Sequence, residues 1–520
     1  MTDQLDLLII GAGASGASVA YEATRRGLKV ALLEAGDIGG ATSCRSTKLL
    51  HGGVRYLELA FKTLDLAQFR LVREALLERG HWLRQAPFLA HPLELALPTE
   101  SLFEQWYYRI GLGLYDALSG DQGIASSRFL SARQLHQALP QLRGGSRGGV
   151  AYSDGQFNDA RLNLLMALTA EQGGAILRSR CRVISLERNP DGRISGAISL
   201  SASGKQERWH ARAVVNATGI RADTLRQMAQ KDVEPRMLTS RGVHLVLEAN
   251  LCPQGLGLLL PATDDGRVLF MLPFFGRTLV GTTDRPCPFN EACEPSEEEQ
   301  LYLLDYVKRW FPALGTPVVG SSWAGGRPLL KPAGESINSS RVVREHEVET
   351  LPSGLVSVMG GKWTTCRPMA LDTLDAAAAL LGQPLPAPKP LPLLGTDQNP
   401  DNTIPRLKQQ QQQLSDLLPE SPLKPSQISH LQASYGLEAL PLIASSPADE
   451  RAPLSGVIPL CRAEIRRAIQ VEHACTPTDV LARRCRLAMI DRNEAEKLLP
   501  VVQEALDQAG LPEGELNLRE

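Results

Sequence analysis

Short apolar runs punctuated by glycine organise the first part of the chain. Asp6–Ile10 (DLLII) is apolar after its first residue, the pattern of a strand buried on both faces of a parallel sheet. It ends in Gly11-Ala-Gly-Ala-Ser-Gly16, and helical periodicity follows as far as Arg26, where Gly27 offers a C-cap. Lys29–Glu34 (KVALLE) predicts a second strand. A strand, a glycine turn, a helix and a strand in this order form the context that lifts G-x-G-x-x-G above a chance match.

The same reading extends along the chain. Ala213–Gly219 (AVVNATG) predicts a strand entering a glycine turn, and two apolar runs flanking Gly276-Arg277 predict a β-hairpin over 268–284. Gly354–Gly361 predicts a last core strand, followed by a helix over 364–381 in which Pro368 falls in the first turns. Gly-Gly-Arg-Pro at 325–328 reads as a turn. Leu102–Leu118 mixes aromatics, aliphatics and an arginine; its period predicts a helix packed into the core, with a membrane-interface helix as the competing reading. The proline-rich stretch 383–400 reads as a semi-rigid linker. Helical patterns follow, among them the five glutamines at 409–413, Cys461–Glu472 and Asp479–Asp491.

Composition narrows the class. With 520 residues, 43% hydrophobic and 22% charged, the chain is a folded protein of more than one domain. A net charge of −2 gives no case for nucleic acid, so an anionic ligand must be met by a few placed arginines. The 9 cysteines are odd in number and form no C-x-x-C, which predicts isolated reduced thiols and neither a disulfide framework nor a metal site. No signal sequence precedes the first strand and no long apolar run occurs, so the expectation is a cytoplasmic protein, or one attached to a membrane surface.

The glycines divide the work of holding a dinucleotide. Gly11 permits the tight turn, Gly13 lets backbone approach a pyrophosphate, and Gly16 allows the helix to sit close to the strand. The helix N-terminus offers free N–H groups and its positive dipole end. Glu34 suits ribose hydroxyls and would repel a 2′-phosphate, which favours FAD or NAD over NADP. Late glycine turns at Asn216–Gly219 and Gly360-Gly361-Lys362 return to the same site, and the second opens a helix whose N–H groups could stabilise a reduced flavin; this favours FAD.

Taken together, ATSCRSTKLLHGGVRYLE (41–58), YSDGQFNDARL (152–162), NATG (216–219), GTTD (281–284), GGRPLL (325–330) and GGKWTT (360–365) resemble the FAD-dependent, respiratory, aerobic-type glycerol-3-phosphate dehydrogenases. The resemblance runs from residue 6 to about 380, and TPTDVLARRCRLAMID (476–491) resembles the family's closing domain. It implies an α/β fold: a Rossmann-type FAD-binding domain interleaved with an antiparallel-sheet substrate domain, plus a C-terminal α-helical domain. The division implied is an oxidoreductase region over 1–395, with FAD-binding parts at about 1–85, 150–235 and 320–382 and substrate parts at about 86–149 and 236–319. The linker 383–400 and a helical domain over 401–520 complete it. The implied reaction oxidises sn-glycerol 3-phosphate to dihydroxyacetone phosphate by hydride transfer from C2 to flavin N5. Electrons then pass to a membrane quinone, placing the protein peripherally on the cytoplasmic face of an inner membrane; a homodimer is allowed.

By the same resemblance the cofactor would be bordered by Gly11, Gly13, Ser15, Gly16, Glu34, Thr42, Ser43, Ser46, Thr47, Lys48, Leu50, His51, Gly52 and Gly53. Val183, Ala217, Thr218, Gly219, Gly361, Lys362, Trp363 and Thr364 would complete its site. Arg55, Tyr56, Arg327 and Arg344 would meet substrate, with Lys362 closing around it. Arginine suits a phosphate dianion because its fork of donors is always charged; Arg55 and Arg344 would form that clamp, and Arg327 would stabilise negative charge developing on the C2 oxygen. The proton acceptor is His51 or His244, because histidine titrates near neutral pH. Val243 stands where the family often has serine, and Ile220-Arg221 where it has Pro-Trp. Three other readings are open: an oxidase using O2, an amino-acid or 2-hydroxyacid oxidoreductase of the same fold, and a flavin-binding regulatory protein without turnover.

Overall fold

The protein is described by a computed structural model covering residues 4–53, 66–261, 263–264, 266–331, 345–417 and 423–519. Leu5–Ile10 and Val30–Leu33 run parallel at the centre of one sheet, and Ala14–Arg25 is the helix between them. Gln206–Asn216 lies parallel on the other side of the first strand, and Leu355–Gly360 lies parallel beyond it. These strands are buried on both faces, which is why their sequences are continuous rather than alternating. A β-meander through Cys181–Arg188 and Ile194–Ser201 joins this sheet at Gln206–Asn216.

A second sheet is mostly antiparallel. Met237–Leu247 pairs on one side with Val319–Leu330 and on the other with Arg277–Gly281, which continues through Leu269–Phe274 and Gly257–Leu260 to Ala90–Thr99, Gly148–Phe157 and Leu49–Leu50. The hairpin at 268–284 forms as its pattern predicts, because Phe275 and Gly276 both take the left-handed conformation (φ 49° and 76°) that a tight hairpin turn needs. Leu49–Leu50 carries the segment after the dinucleotide unit directly onto this sheet, so the junction of the two sheets falls at residues 42–53.

Helices Thr403–Asp416, Pro425–Tyr435, Arg462–Gln470 and Leu499–Gln508 make up the last part of the chain. In the polyglutamine helix only Gln410 of the five turns inward, bonding Leu437 O at 2.7 Å. The stretch before these helices lies against the dinucleotide unit: Tyr21 Oη donates to Leu391 O at 2.5 Å, and Lys389 N donates to Arg25 O at 2.7 Å.

Three elements differ from the sequence reading. Gly325–Pro328 is not a turn; it lies inside the long strand Val319–Leu330, with Arg327 opposite Ser240. Its glycines permit close approach instead, since a Cβ on Gly325 would lie 2.9 Å from Arg45 Cβ. Asp479–Asp491 is not one helix. Asp479–Arg484 forms a π-turn, and Arg486 (φ 70°) breaks the path before Leu487–Ile490. Leu102–Leu118 is helical and packs one face into the core, but it leaves a second apolar face open: Phe103 is 80% exposed, and Trp106, Ile110 and Leu114 share its side. Period alone cannot distinguish the two apolar faces of this helix, of which only the one carrying Leu112 and Tyr115 is packed.

Candidate active site

The glycine loop has the geometry its spacing predicts. Gly11 (φ 101°) takes a conformation closed to most residues, and a Cβ there would lie 2.6 Å from Ala217 O. A Cβ on Gly16 would lie 1.8 Å from Gly11 O, so helix and strand meet this closely only because residue 16 is glycine. Ala217 N donates to Ile10 O, which brings the Ala217–Gly219 turn alongside the loop. Glu34 Oε2 accepts from Ala12 N at 2.8 Å and Oε1 from Gly36 N at 2.8 Å. Burial pushes this carboxyl above its ordinary range, against the pull of those two N–H groups. Val183 is near by connection: Cys181, two residues before it, donates its N–H to Glu34 O at 2.8 Å. Ser15 is half-buried in the first helical turn.

The segment 42–53 ties this loop to everything else. Ser43 Oγ accepts from Ala14 N at 2.9 Å, at the helix N-terminus. Ser43 O accepts from Trp363 Nε1 at 2.9 Å, which fixes the Gly360-Gly361-Lys362 turn (φ 75° and 78° at the glycines). Thr42 Oγ1 donates to Gly326 O at 2.6 Å, beside Arg327. His51 N donates to Thr364 Oγ1 at 3.3 Å, and Gly52 N donates to Tyr115 Oη at 2.7 Å. Leu50 is fully buried beneath, and Gly53 (φ 88°) closes the described part of the segment.

Lys48 is a buried ammonium with defined partners. It adopts φ 64° and donates to Cys44 O at 2.8 Å and Asp159 Oδ2 at 2.6 Å, with the Trp323 ring 4.5 Å from its nitrogen. Burial pushes its amine down to about 7, with Asp159 drawing it back up. Ser46 gives Asp159 both its N–H (3.0 Å) and its hydroxyl (2.7 Å). His244 also stacks on Trp323, at 4.2 Å, and its Nε2 lies 3.0 Å from Thr47 Oγ1. Burial and then the nearby Lys48 and Arg327 cations hold this imidazole well below its ordinary pKa, so it is neutral at physiological pH.

Arg327 faces the same region from the neighbouring strand. Its Nη2 donates to Thr283 O at 2.9 Å and Thr282 Oγ1 at 3.1 Å, and its Nη1 donates to Asp284 Oδ1 at 3.2 Å. Gly242 makes room for it: a Cβ there would lie 2.5 Å from Arg327 Nη2. Val243 points the other way, into a separate apolar cluster with Leu245 and Ala324, so the replacement of serine there leaves the site unaltered. Ile220 packs near Gly326, under the strand that carries Arg327.

The structure therefore gathers Thr42, Ser43, Ser46, Thr47, Lys48, Leu50, His51, Gly52, His244, Arg327, Lys362, Trp363 and Thr364 around one segment, with the glycine loop at its back. Arg55, Tyr56 and Arg344 lie outside the described residues. Asp159, Trp323, Tyr115 and Arg486 are participants that residue typing did not single out. Asp159 sits in the quoted 152–162 motif and Arg486 in the quoted 476–491 stretch, but nothing there names the loop some 440 positions away that Arg486 touches.

These features fit a dinucleotide: the cradle exists only because Gly11, Gly13 and Gly16 lack a Cβ, and a half-buried carboxylate ends the second strand. The family model for FAD dependent oxidoreductases matches residues 6–369, and that for the C-terminal domain of alpha-glycerophosphate oxidase matches residues 388–509. The mitochondrial glycerol-3-phosphate dehydrogenase of Rattus norvegicus is 37% identical over 524 residues, covering 97% of this chain and 70% of the relative. That of Arabidopsis thaliana is 38% identical over 526 residues, covering 97% and 83%. Among solved structures, the glycerol-3-phosphate dehydrogenase of Bacillus halodurans complexed with FAD superposes with a TM-score of 0.76 at 26% identity, covering 97% of this chain and 91% of that one. The loop, the two sheets and the helical tail thus occur in one order and one arrangement, and the chain belongs to the FAD-dependent glycerol-3-phosphate dehydrogenase family.

Proposed function

We propose that this chain oxidises sn-glycerol 3-phosphate to dihydroxyacetone phosphate and delivers the electrons to a quinone at a membrane surface. The observation that carries this reading is the convergence of Arg327, His244 and the Lys362–Thr364 turn on the 42–53 segment, which is itself bonded to the dinucleotide loop. FAD held by Gly11, Gly13, Ser15, Gly16, Glu34 and the turns at 217–219 and 361–364 supplies the hydride acceptor.

The chain's own groups do the rest. Arg327, kept in place by Thr282, Thr283 and Asp284, stabilises the negative charge that grows on the C2 oxygen. His244 is a neutral, oriented imidazole held between Trp323 and Thr47, which suits it to shaping the site. His51, half-buried at the end of the segment, is then the residue we assign to receive the hydroxyl proton. Arg55, Tyr56 and Arg344 hold the phosphate on sequence grounds, with Lys362 orienting the reacting edge. We assign the functional units as an oxidoreductase region over 1–395 and a helical domain over 401–520.

The acceptor is a quinone reached from the bilayer surface. Among the described residues no helix is long and apolar enough to cross a membrane. Leu102–Leu118 instead exposes Leu102, Phe103, Trp106, Tyr107, Ile110 and Leu114 along one side, with Arg109 beside them. Large aromatics mixed with aliphatics and a cation are the composition of a helix lying in the interfacial plane.

Anaerobic visible spectroscopy of the purified holoprotein tests the assignment. Addition of sn-glycerol 3-phosphate should bleach the flavin bands, and quinone analogues should restore them. A yellow protein that glycerol 3-phosphate leaves unbleached would overturn the substrate; rapid recovery in oxygen with peroxide release would overturn the acceptor.

A further inference from the structure

The C-terminal helices reach the flavin-side segment through buried arginines. Arg486 is 1% exposed, and its left-handed backbone (φ 70°) interrupts the helical path that the sequence predicts. Its Nη2 donates to Cys44 O at 2.9 Å and lies 3.4 Å from Asp159 Oδ1; its Nη1 donates to Ala482 O at 3.2 Å. Cys44 O and Asp159 are also the two acceptors of Lys48, so one cation from each domain closes on the same pair of groups.

Two further contacts repeat the arrangement. Arg484 grips Asp37 with two bonds of 2.7 Å, and Arg483 reaches the same carboxylate at 3.5 Å. The wide π-turn at Asp479–Arg484 is what lets these consecutive arginines face one way. In return, Arg45 of the loop donates to Leu518 O at 3.0 Å, and also to Gly40 O and Ala41 O. The carbonyls of residues 40, 41 and 44 are thus turned inward onto guanidinium and ammonium groups. That orientation leaves Ser43 Oγ on Ala14 N and Thr42 Oγ1 on Gly326 O.

We infer that Arg486, supported by Arg484, is a positioning residue of the C-terminal domain that sets the 40–48 loop in its cofactor-binding shape, so that this domain acts as the latch of the flavin site. The inference rests on the reading that the 42–48 segment lines the cofactor. Arg486 is buried and its contacts are with Cys44 O, Asp159 and Ala482 O, so its effect should pass through the loop and appear in FAD affinity and in the optical asymmetry of bound flavin.

The test uses the full chain. FAD affinity is measured by titrating deflavinated protein, alongside the visible circular dichroism of the holoprotein and its Tm, for Arg486→Gln, Arg486→Lys, Ser43→Ala and Ile443→Ala. Ile443 is fully buried in the cluster formed by the C-terminal helices themselves, which makes it a control for stability alone. Arg486→Gln should raise the Kd for FAD about tenfold or more, as expected for a lost charge-assisted hydrogen bond. Arg486→Lys should fall between it and wild type. Ile443→Ala should lower Tm with FAD affinity and dichroism unchanged. If Arg486→Gln merely lowers Tm as Ile443→Ala does, the latch is overturned; should that variant fail to fold, an unchanged Kd in Arg486→Lys overturns it instead. A raised Kd in Ser43→Ala beside an unaffected Arg486→Gln would sink the latch and keep the loop reading, whereas no change in either would sink both.

Discussion

Replacing Arg327 by alanine removes a guanidinium whose place is fixed from three sides. Four hydrogen bonds, to Arg241 O, Thr282 Oγ1, Thr283 O and Asp284 Oδ1, span 2.9–3.3 Å, and the side chain keeps 18% of its surface open. A preorganised donor aimed at developing charge contributes about 2.7–4 kcal/mol, or roughly 10²–10³ in rate. The structure points to the lower end of that range. Asp284 sits 3.2 Å from Arg327 Nη1 and offsets part of its charge, and it is itself 34% exposed, so water screens the pair. The expected effect is therefore about a hundredfold slower flavin bleaching at saturating glycerol 3-phosphate, with substrate affinity changed far less. Anaerobic stopped-flow absorbance separates the two, since the limiting rate reports the chemical step and its concentration dependence reports binding. Arg327→Lys keeps a cation without the fork and should recover part of the rate. If the alanine variant retains FAD and reduces it within about threefold of wild type, Arg327 has no role in stabilising the C2 oxygen.

Other parts of the fold make separate predictions. Burial, reinforced by Arg367, Arg25 and Arg84, pushes His81 down from 6.5 to about 3. Between those values the unfolded chain binds a proton that the folded one does not, so this contribution to stability is complete above 6.5 and declines as pH falls, by at most about 1.4 kcal/mol per unit. His81→Gln should accordingly show a shallower loss of denaturant stability on acidification, and a parallel loss would refute the assignment. Lys48→Met leaves buried Asp159 with Ser46 as a hydrogen-bond donor and Arg486, at 3.4 Å, as its remaining cation; unfolding measurements should show a loss of about 3 kcal/mol, the low end for a broken buried pair, and less than about 1 would mean the pair is not the hub described. Phe103→Glu with Trp106→Glu should abolish co-sedimentation with anionic vesicles while flavin bleaching by glycerol 3-phosphate stays unchanged. Retained vesicle binding would exclude this helix as the docking face.

What the sequence disclosed and what it hid follow from the range over which each feature is determined. The glycine loop was legible because its main requirements are local: Gly11 takes a left-handed φ of 101° within the turn, and Gly16 is forced by Gly11 O five residues before it; the further contact of Gly11 with Ala217 O is long-range and was not needed to read it. The hairpin at Phe275-Gly276 was legible for the same reason. Gly325-Gly326 misled because glycine serves both turns and close approach, and only the pairing with Met237–Leu247 decides between them. Helix Leu102–Leu118 misled because a stripe of apolar residues gives the same period whether it meets protein or a surface. Arg486 was invisible because an arginine in a helical pattern is ordinarily solvated, and nothing near it in sequence names Cys44 or Asp159 as its partner.

The buried charges around residues 37–48 explain why so many long-range partners meet there. Lys48, Arg45, Arg484 and Arg486 are each at most 4% exposed, and an ion removed from water to that degree is tolerated only with its counter-charge and hydrogen bonds in place. Asp37 is the counter-charge of Arg484 and Asp159 that of Lys48 and Arg486, both carboxylates being buried as well, while Arg45 is met by the carbonyls of residues 40, 41 and 518. Displacing the C-terminal helices would leave both carboxylates without their arginine partners, and Asp37 would lose two bonds of 2.7 Å. Part of the penalty for opening therefore falls on the loop that joins the two sheets, beside buried pairs elsewhere such as Arg161 with Glu472. Such a junction holds one shape strongly and intermediate ones poorly, which suits a segment that must present Ser43, Thr47 and His51 to a cofactor and a substrate at once.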